Sequence, residues 1–121
     1  MTDSYTVIIE RRPKVKARPR HTKSGKVFTP ASTLKEEDYV AQAWKEQVGE
    51  KISGPIEVSV IYSPDATILH VTSSPHSAKT LRGDLDNYVK LTLDALNEVA
   101  WDDDRQVVRL NASKVDRRDS D

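Results

Sequence analysis

Apolar residues in this 121-residue chain recur with two periods, and the order in which the periods alternate restricts the fold to one class. Tyr5, Val7 and Ile9 alternate with polar or second-face residues, which predicts a strand over residues 4–10. Thr33, Leu34, Lys35 and Glu36 match a capping box, so a helix is expected from near Leu34, with Val40, Ala41, Trp44 and Val48 on its buried face and Gly49 as its stop. Ile56, Val58, Val60 and Tyr62 alternate as a half-buried strand, Ser63-Pro64-Asp65 reads as a turn, and Ile68, Leu69 and Val71 read as the neighbouring strand. From Asp86 onward Val89, Leu93, Leu96 and Ala100 share a helical face, and Val107, Val108, Leu110 and Ala112 predict a last strand. Strand, helix, two strands, helix, strand makes an α/β (α+β) chain with a small mixed sheet and two main helices.

This length suits one domain, residues 1–121, able to bury roughly two thirds of its unfolded surface. Residues 116–121 are expected to fray. The absence of cysteine excludes disulfides and thiolate metal sites, so any metal must be held by oxygen or histidine ligands. No apolar run approaches the roughly 20 residues of a membrane helix, and the N-terminus MTDSYTVIIERR does not read as a signal peptide, so a cytoplasmic protein is expected.

Nineteen basic and nineteen acidic side chains cancel, which taken alone argues against a nucleic-acid partner. Their distribution argues the other way. Residues 11–26 carry eight Lys or Arg and no acid, while Asp84 to Asp104 holds seven carboxylates and a single lysine. Pro13, Pro19 and Ser24-Gly25 forbid a helix through the basic stretch, so Arg18, Arg20, Lys23 and Lys26 are displayed on a loop or hairpin over residues 11–30, with Val27 and Phe28 as a short return strand. A protein that grips phosphates and also binds cations needs both potentials in separate places.

The acidic stretch, residues 83–106, is where chemistry is expected. Asp84 and Asp86 stand two apart at the mouth of the second helix, a spacing that at a strand end points both side chains to one side, and Asp86 is a plausible N-cap. Asp102, Asp103 and Asp104 follow that helix. If the chain folds back at Trp101 the two clusters meet, and converging carboxylates repel unless a cation, a proton or a lysine lies between them. Magnesium takes one or two carboxylates plus water and phosphate oxygens, which suits this donor set. Lys90 lies four residues after Asp86 and four before Asp94; it either pairs with both acids or stabilises charge on a phosphate in the transition state. The plainer alternative is that these acids cap and solvate a helix, that the basic stretch is a solvated loop, and that Trp44 and Trp101 belong to the core. His21, His70 and His76 show no metal-ligand spacing; His70 reads as structural and His76 as a weak candidate for substrate contact. The acidic stretch lacks the central glycine and closing glutamate of an EF-hand loop, and the chain has neither a phosphate-binding glycine loop nor a GxSxG elbow.

Three blocks together resemble the RusA-type Holliday junction resolvases of bacteria and their phages: KARPR with GKVFTP within residues 16–30, GDLDNYVKLTLDAL at 83–96, and WDDDRQVV at 101–108. The resemblance implies that Asp84, Asp86 and Asp104 are the essential acids and metal ligands, with Asp103 as the alternative inward ligand, and that Lys90 is the functional lysine. It further implies a homodimer of small α/β subunits that binds four-way DNA by structure and makes paired symmetric nicks with magnesium or manganese. Lys16, Arg18 and Arg20, with Lys14, Lys23 and Lys26, would bind backbone phosphates, which position DNA without reading its sequence. Glu98 departs from the pattern, since many relatives carry glycine there, and this is expected to change how the chain leaves the helix.

Overall fold

A computed structural model describes residues 3–16, 20–21, 25, 27–28, 30–76 and 78–117. It shows a small α+β protein whose chain divides into two compact units, Met1–Ser74 and Pro75–Asp121. The first contains β1 (Ser4–Ile9), β2 (Arg20–His21), β3 (Val27–Phe28), α1 (Ala31–Gln47), β4 (Ile56–Ser63) and β5 (Ala66–Ser73); the second contains α2 (Leu85–Leu96) and a 3₁₀ turn at Asp104–Gln106.

The principal sheet has the order β1-β5-β4 and is antiparallel throughout. Its hairpin closes where expected, with Pro64 and Asp65 between the paired Ser63 and Ala66, and the Ser63 hydroxyl donating to Asp65 Oδ1 at 2.8 Å. The register sets Val7 opposite Leu69 and Leu69 opposite Val60, so the alternating apolar residues of all three strands share one face. Helix α1 covers only the β1 side of that face. Val7, Ile9 and Ala43 are buried there with Trp44, Val48 and Leu69 packed around them, whereas β4 is exposed along nearly its whole length, with Tyr62 69% accessible. The half-burial expected of β4 therefore does not hold, because no described element of this unit lies over it.

Two side chains bind α1 to the sheet. Gln47 accepts from the Ile8 amide at 3.0 Å and donates to the Ile8 carbonyl at 2.8 Å, occupying the outer edge of β1 as a neighbouring strand would. The Trp44 indole donates to the Glu50 carbonyl at 2.7 Å and meets the Tyr5 ring edge-on at 5.9 Å. Tyr5 donates to Glu50 Oε2 at 2.7 Å, and this bond is the main cause of a Tyr5 pKa above its ordinary value.

Helix α1 begins three residues before the expected start. Pro30, in an extended conformation, is its N-cap, and the amides of Thr33 and Leu34 donate to the Pro30 carbonyl, so Thr33 is a buried helical residue instead of a cap. Its C-terminus is as expected: Gly49 has φ +78, and its amide returns to the Trp44 carbonyl at 3.0 Å. The last predicted strand does not form. Residues 107–115 have no regular structure, with Val108 and Leu110 exposed, because an alternating run becomes a strand only beside a partner backbone and the described residues of the second unit supply none.

Candidate active site

The second helix starts two residues earlier than an Asp86 N-cap implies, and the shift changes the meaning of both its acids. Asp84 occupies the N-cap position with φ −68 and ψ 140, and its carbonyl accepts from the amides of Asn87 and Tyr88. Asp86 lies in the first turn, so the two acids sit on a helix start and not at a strand end. An N-cap aspartate ordinarily spends its carboxylate on a nearby amide. Here no side-chain cap bond forms, and among the described residues neither Asp84 nor Asp86 makes a side-chain hydrogen bond or ion pair. Both side chains are exposed at the end of the helix where the peptide dipoles favour negative charge. Lys90, one turn further on and exposed, forms no ion pair among the described residues, so the row it was expected to make with Asp86 and Asp94 is not drawn together.

The chain leaves α2 through a tight turn. Glu98 has φ +67, the left-handed region that glycine adopts without strain. Its amide donates to the Trp101 carbonyl at 2.7 Å, and the amides of Val99 and Ala100 return to the Leu96 carbonyl. This turn brings in the triple aspartate, whose members differ in what they do. Asp103 caps the 3₁₀ turn: its Oδ1 accepts from the Arg105 amide at 2.8 Å, while Gln106 Oε1 accepts from the amides of Asp102 and Asp103 in a reciprocal capping box. The Arg105 amide is also the main reason the Asp103 carboxyl titrates below the ordinary carboxylate value. Asp104 caps nothing with its side chain; its Oδ1 accepts from the Trp101 indole at 2.8 Å. Asp102 is exposed.

Trp101 was expected to be a core residue, and its role as the donor that orients Asp104 was missed. The signal was local, since a W-x-x-D spacing places an indole within reach of a carboxylate across one turn. His70 is structural as expected, its ring nitrogens lying 3.0 Å from the Thr6 hydroxyl and 3.4 Å from that of Ser4.

In the first unit the basic stretch includes the short β2-β3 hairpin, Arg20 opposite Phe28, as the sequence predicts. Arg18, Lys23 and Lys26 lie outside the described residues, as does the side chain of Arg20. Lys14 and Lys16 are exposed and lean on α1: Lys16 pairs with Glu37 at 3.1 Å, and Lys14 shares Glu36 with Arg11, whose guanidinium also sits 4.3 Å above the Tyr39 ring. Arg11, Lys14, Lys16, Glu36 and Glu37 border, with Val60 and Tyr62, a groove of about 450 Å³.

Carboxylate oxygens are the donors a hard divalent ion takes, so the chemistry of Asp84, Asp86 and Asp104 fits magnesium or manganese. Among the described residues no three His, Asp or Glu side chains are gathered closely enough to form a metal site. Nor is any described helix long and apolar enough to cross a membrane.

Residues 10–120 match the family described as Endodeoxyribonuclease RusA, and the chain belongs to that family. It is also similar to the uncharacterized protein YqaN of Bacillus subtilis (strain 168), with 34% identity over 114 residues that span 84% of this chain and 80% of the relative. No solved structure gives a significant match.

Proposed function

We propose that this protein is a magnesium- or manganese-dependent endodeoxyribonuclease that resolves four-way DNA junctions inside the cell, acting as a homodimer that makes paired symmetric nicks. The observation that carries the proposal is the division of labour among the acids of residues 75–117. Asp103 and Asp116 spend their carboxylates on backbone amides, whereas among the described residues Asp84, Asp86 and one oxygen of Asp104 are left for a ligand; Asp94, Glu98 and Asp102 are free as well, and the resemblance to the family selects the first three. In this reading those three acids hold the divalent ion, which when bound neutralises charge developing on the phosphate during in-line displacement. Free carboxylates gather around a cation and repel one another without it. Lys90, whose ammonium no carboxylate among the described residues holds, faces the same phosphate and stabilises the charge that builds there. Asp103 keeps its capping role and orients the turn that carries Asp104. Lys14, Lys16, Arg18, Arg20, Lys23 and Lys26 bind backbone phosphates of the junction arms. Two copies related by a twofold axis present two equivalent sites, as nicking two strands of like polarity requires.

The test is incubation with an end-labelled four-way junction, a fork and a linear duplex, each with magnesium and with chelator. Paired nicks in the junction alone, abolished by chelator, are expected. Equal cutting of forks would reduce the activity to that of a less selective nuclease. Binding without cutting on every substrate would leave a DNA-structure-binding module.

A further inference from the structure

Gly83, the residue before Asp84, has both its amide and its carbonyl held by side chains that the proposed reaction does not use. The Gly83 amide donates to the Tyr88 hydroxyl at 3.1 Å, and the Gly83 carbonyl accepts from Lys114 Nζ at 3.1 Å, with the same ammonium reaching the Leu81 carbonyl at 3.5 Å. Gly83 also lies against the Tyr88 ring so closely that a Cβ there would come within 2.9 Å of its Cζ and hydroxyl oxygen. Two residues beyond Lys114, Asp116 Oδ1 accepts from the amides of Lys79 and Thr80 at 2.6 and 3.1 Å and from the Thr80 hydroxyl at 3.2 Å. A segment with no regular structure of its own, residues 107–117, thus ties down the loop that leads into the helix.

We infer that Lys114 and Tyr88 are positioning residues that aim the Asp84 carboxylate. The inference rests on the reading of Asp84 as a metal ligand. Its geometry follows from peptide planarity: the Gly83 carbonyl and the Asp84 amide belong to one rigid unit, so the Lys114 ammonium fixes the plane on the N-terminal side of Asp84. The plane on the other side is fixed by the Asn87 and Tyr88 amides, which donate to the Asp84 carbonyl. With both planes set, the direction of the Asp84 Cα–Cβ bond is set, and only two side-chain torsions remain free. An exposed loop without such ties would let the carboxylate wander, and a metal ligand is effective only when its orientation is held by the residues behind it. Lys114 suits the task because an ammonium donates three hydrogen bonds and can satisfy two carbonyls at once. Tyr88 suits it because its ring fills the space beside a residue that has no side chain while its oxygen takes the amide.

The test compares the wild type with Lys114→Met, Lys114→Arg, Tyr88→Phe and Asp84→Asn. Manganese affinity is read without DNA from the electron paramagnetic resonance of free Mn²⁺, junction affinity is read in chelator, and junction cleavage is read under single turnover. Lys114→Met and Tyr88→Phe are expected to weaken manganese binding and slow cleavage by roughly 10- to 100-fold, the range for residues that orient a ligand. Junction affinity in chelator should stay unchanged, and Lys114→Arg should recover most of the loss. Wild-type manganese binding by both Lys114→Met and Tyr88→Phe would overturn the inference, as would a parallel loss of metal-free junction binding in all three tether variants. Should Asp84→Asn bind manganese as the wild type does, the ligand reading itself fails, whatever the tether variants show.

Discussion

Replacing Trp101 with phenylalanine keeps an aromatic ring and removes the indole N–H that donates to Asp104. The bond is short, 2.8 Å from Nε1 to Oδ1, and its acceptor is a carboxylate, which places it among charge-assisted hydrogen bonds worth about 1.5–3 kcal/mol. Because Trp101 and Asp104 are only half-buried, water can replace part of that interaction, so the lower end applies. About 1.4 kcal/mol corresponds to a factor of about 10 in an equilibrium, so Trp101→Phe should raise the magnesium concentration that half-saturates cleavage by about tenfold. The assay is single-turnover cleavage of a labelled four-way junction at saturating enzyme across a magnesium titration. Junction binding in chelator should be unaltered, since the indole is assigned no DNA contact. A variant with the wild-type rate and magnesium requirement would refute the claim that the indole orients Asp104 for the ion.

Glu98→Gly should stabilise the fold by up to about 1 kcal/mol, because the left-handed conformation costs a residue with a Cβ roughly 1–2 kcal/mol and the more flexible unfolded chain offsets part of the gain; a lower thermal midpoint would contradict the strain assigned to that turn. Glu36→Gln with Glu37→Gln releases Lys14 and Lys16 from their ion pairs and should tighten DNA binding and steepen its salt dependence by up to about 0.9 per added phosphate contact. An unchanged salt slope would remove Lys14 and Lys16 from the DNA interface. The Asp116 carboxyl titrates below its ordinary value, chiefly because the Thr80 amide donates to it, so its stabilisation is complete above the unfolded pKa of about 3.9 and is lost as pH falls through the lower folded value. The stability difference between wild type and Asp116→Asn should therefore shrink as pH falls below the ordinary carboxylate range in denaturant titrations, and a constant difference would exclude a titrating clasp.

Features set by local pattern were legible before the structure. The alternation of Tyr5, Val7 and Ile9 marks β1, Pro64-Asp65 marks the hairpin, Gly49 marks the end of α1, and the prolines of the basic stretch exclude a helix there. Boundaries that depend on competition between neighbours were not. Thr33 to Glu36 spells a capping box, yet the helix had already begun on the Pro30 carbonyl; Asp86 looks like a cap, yet the first helical bonds run to Asp84. The alternation of Val107 to Ala112 has the period of a strand but no partner backbone in its unit. At the candidate site, spacing marks the acids and Lys90 only as candidates, the resemblance to the family selects Asp84, Asp86, Asp104 and Lys90, and neither decides whether Asp103 or Asp104 points inward. That choice is informed by hydrogen bonds, which engage Asp103 with Arg105 and Gln106 and leave Asp104 to an indole. The ties from Lys114 and Asp116 span 31 to 37 residues and leave no trace in any local window.

Asp84 is the ligand on which the proposed chemistry depends, its carboxylate free of capping so that it can serve an ion. The most direct test is Asp84→Asn assayed side by side with the wild type on a labelled four-way junction, for cleavage in magnesium and for binding in chelator. Cleavage should disappear while binding persists or tightens, because a negative charge near the DNA backbone has been removed. Cutting at the wild-type rate by Asp84→Asn would contradict the central claim.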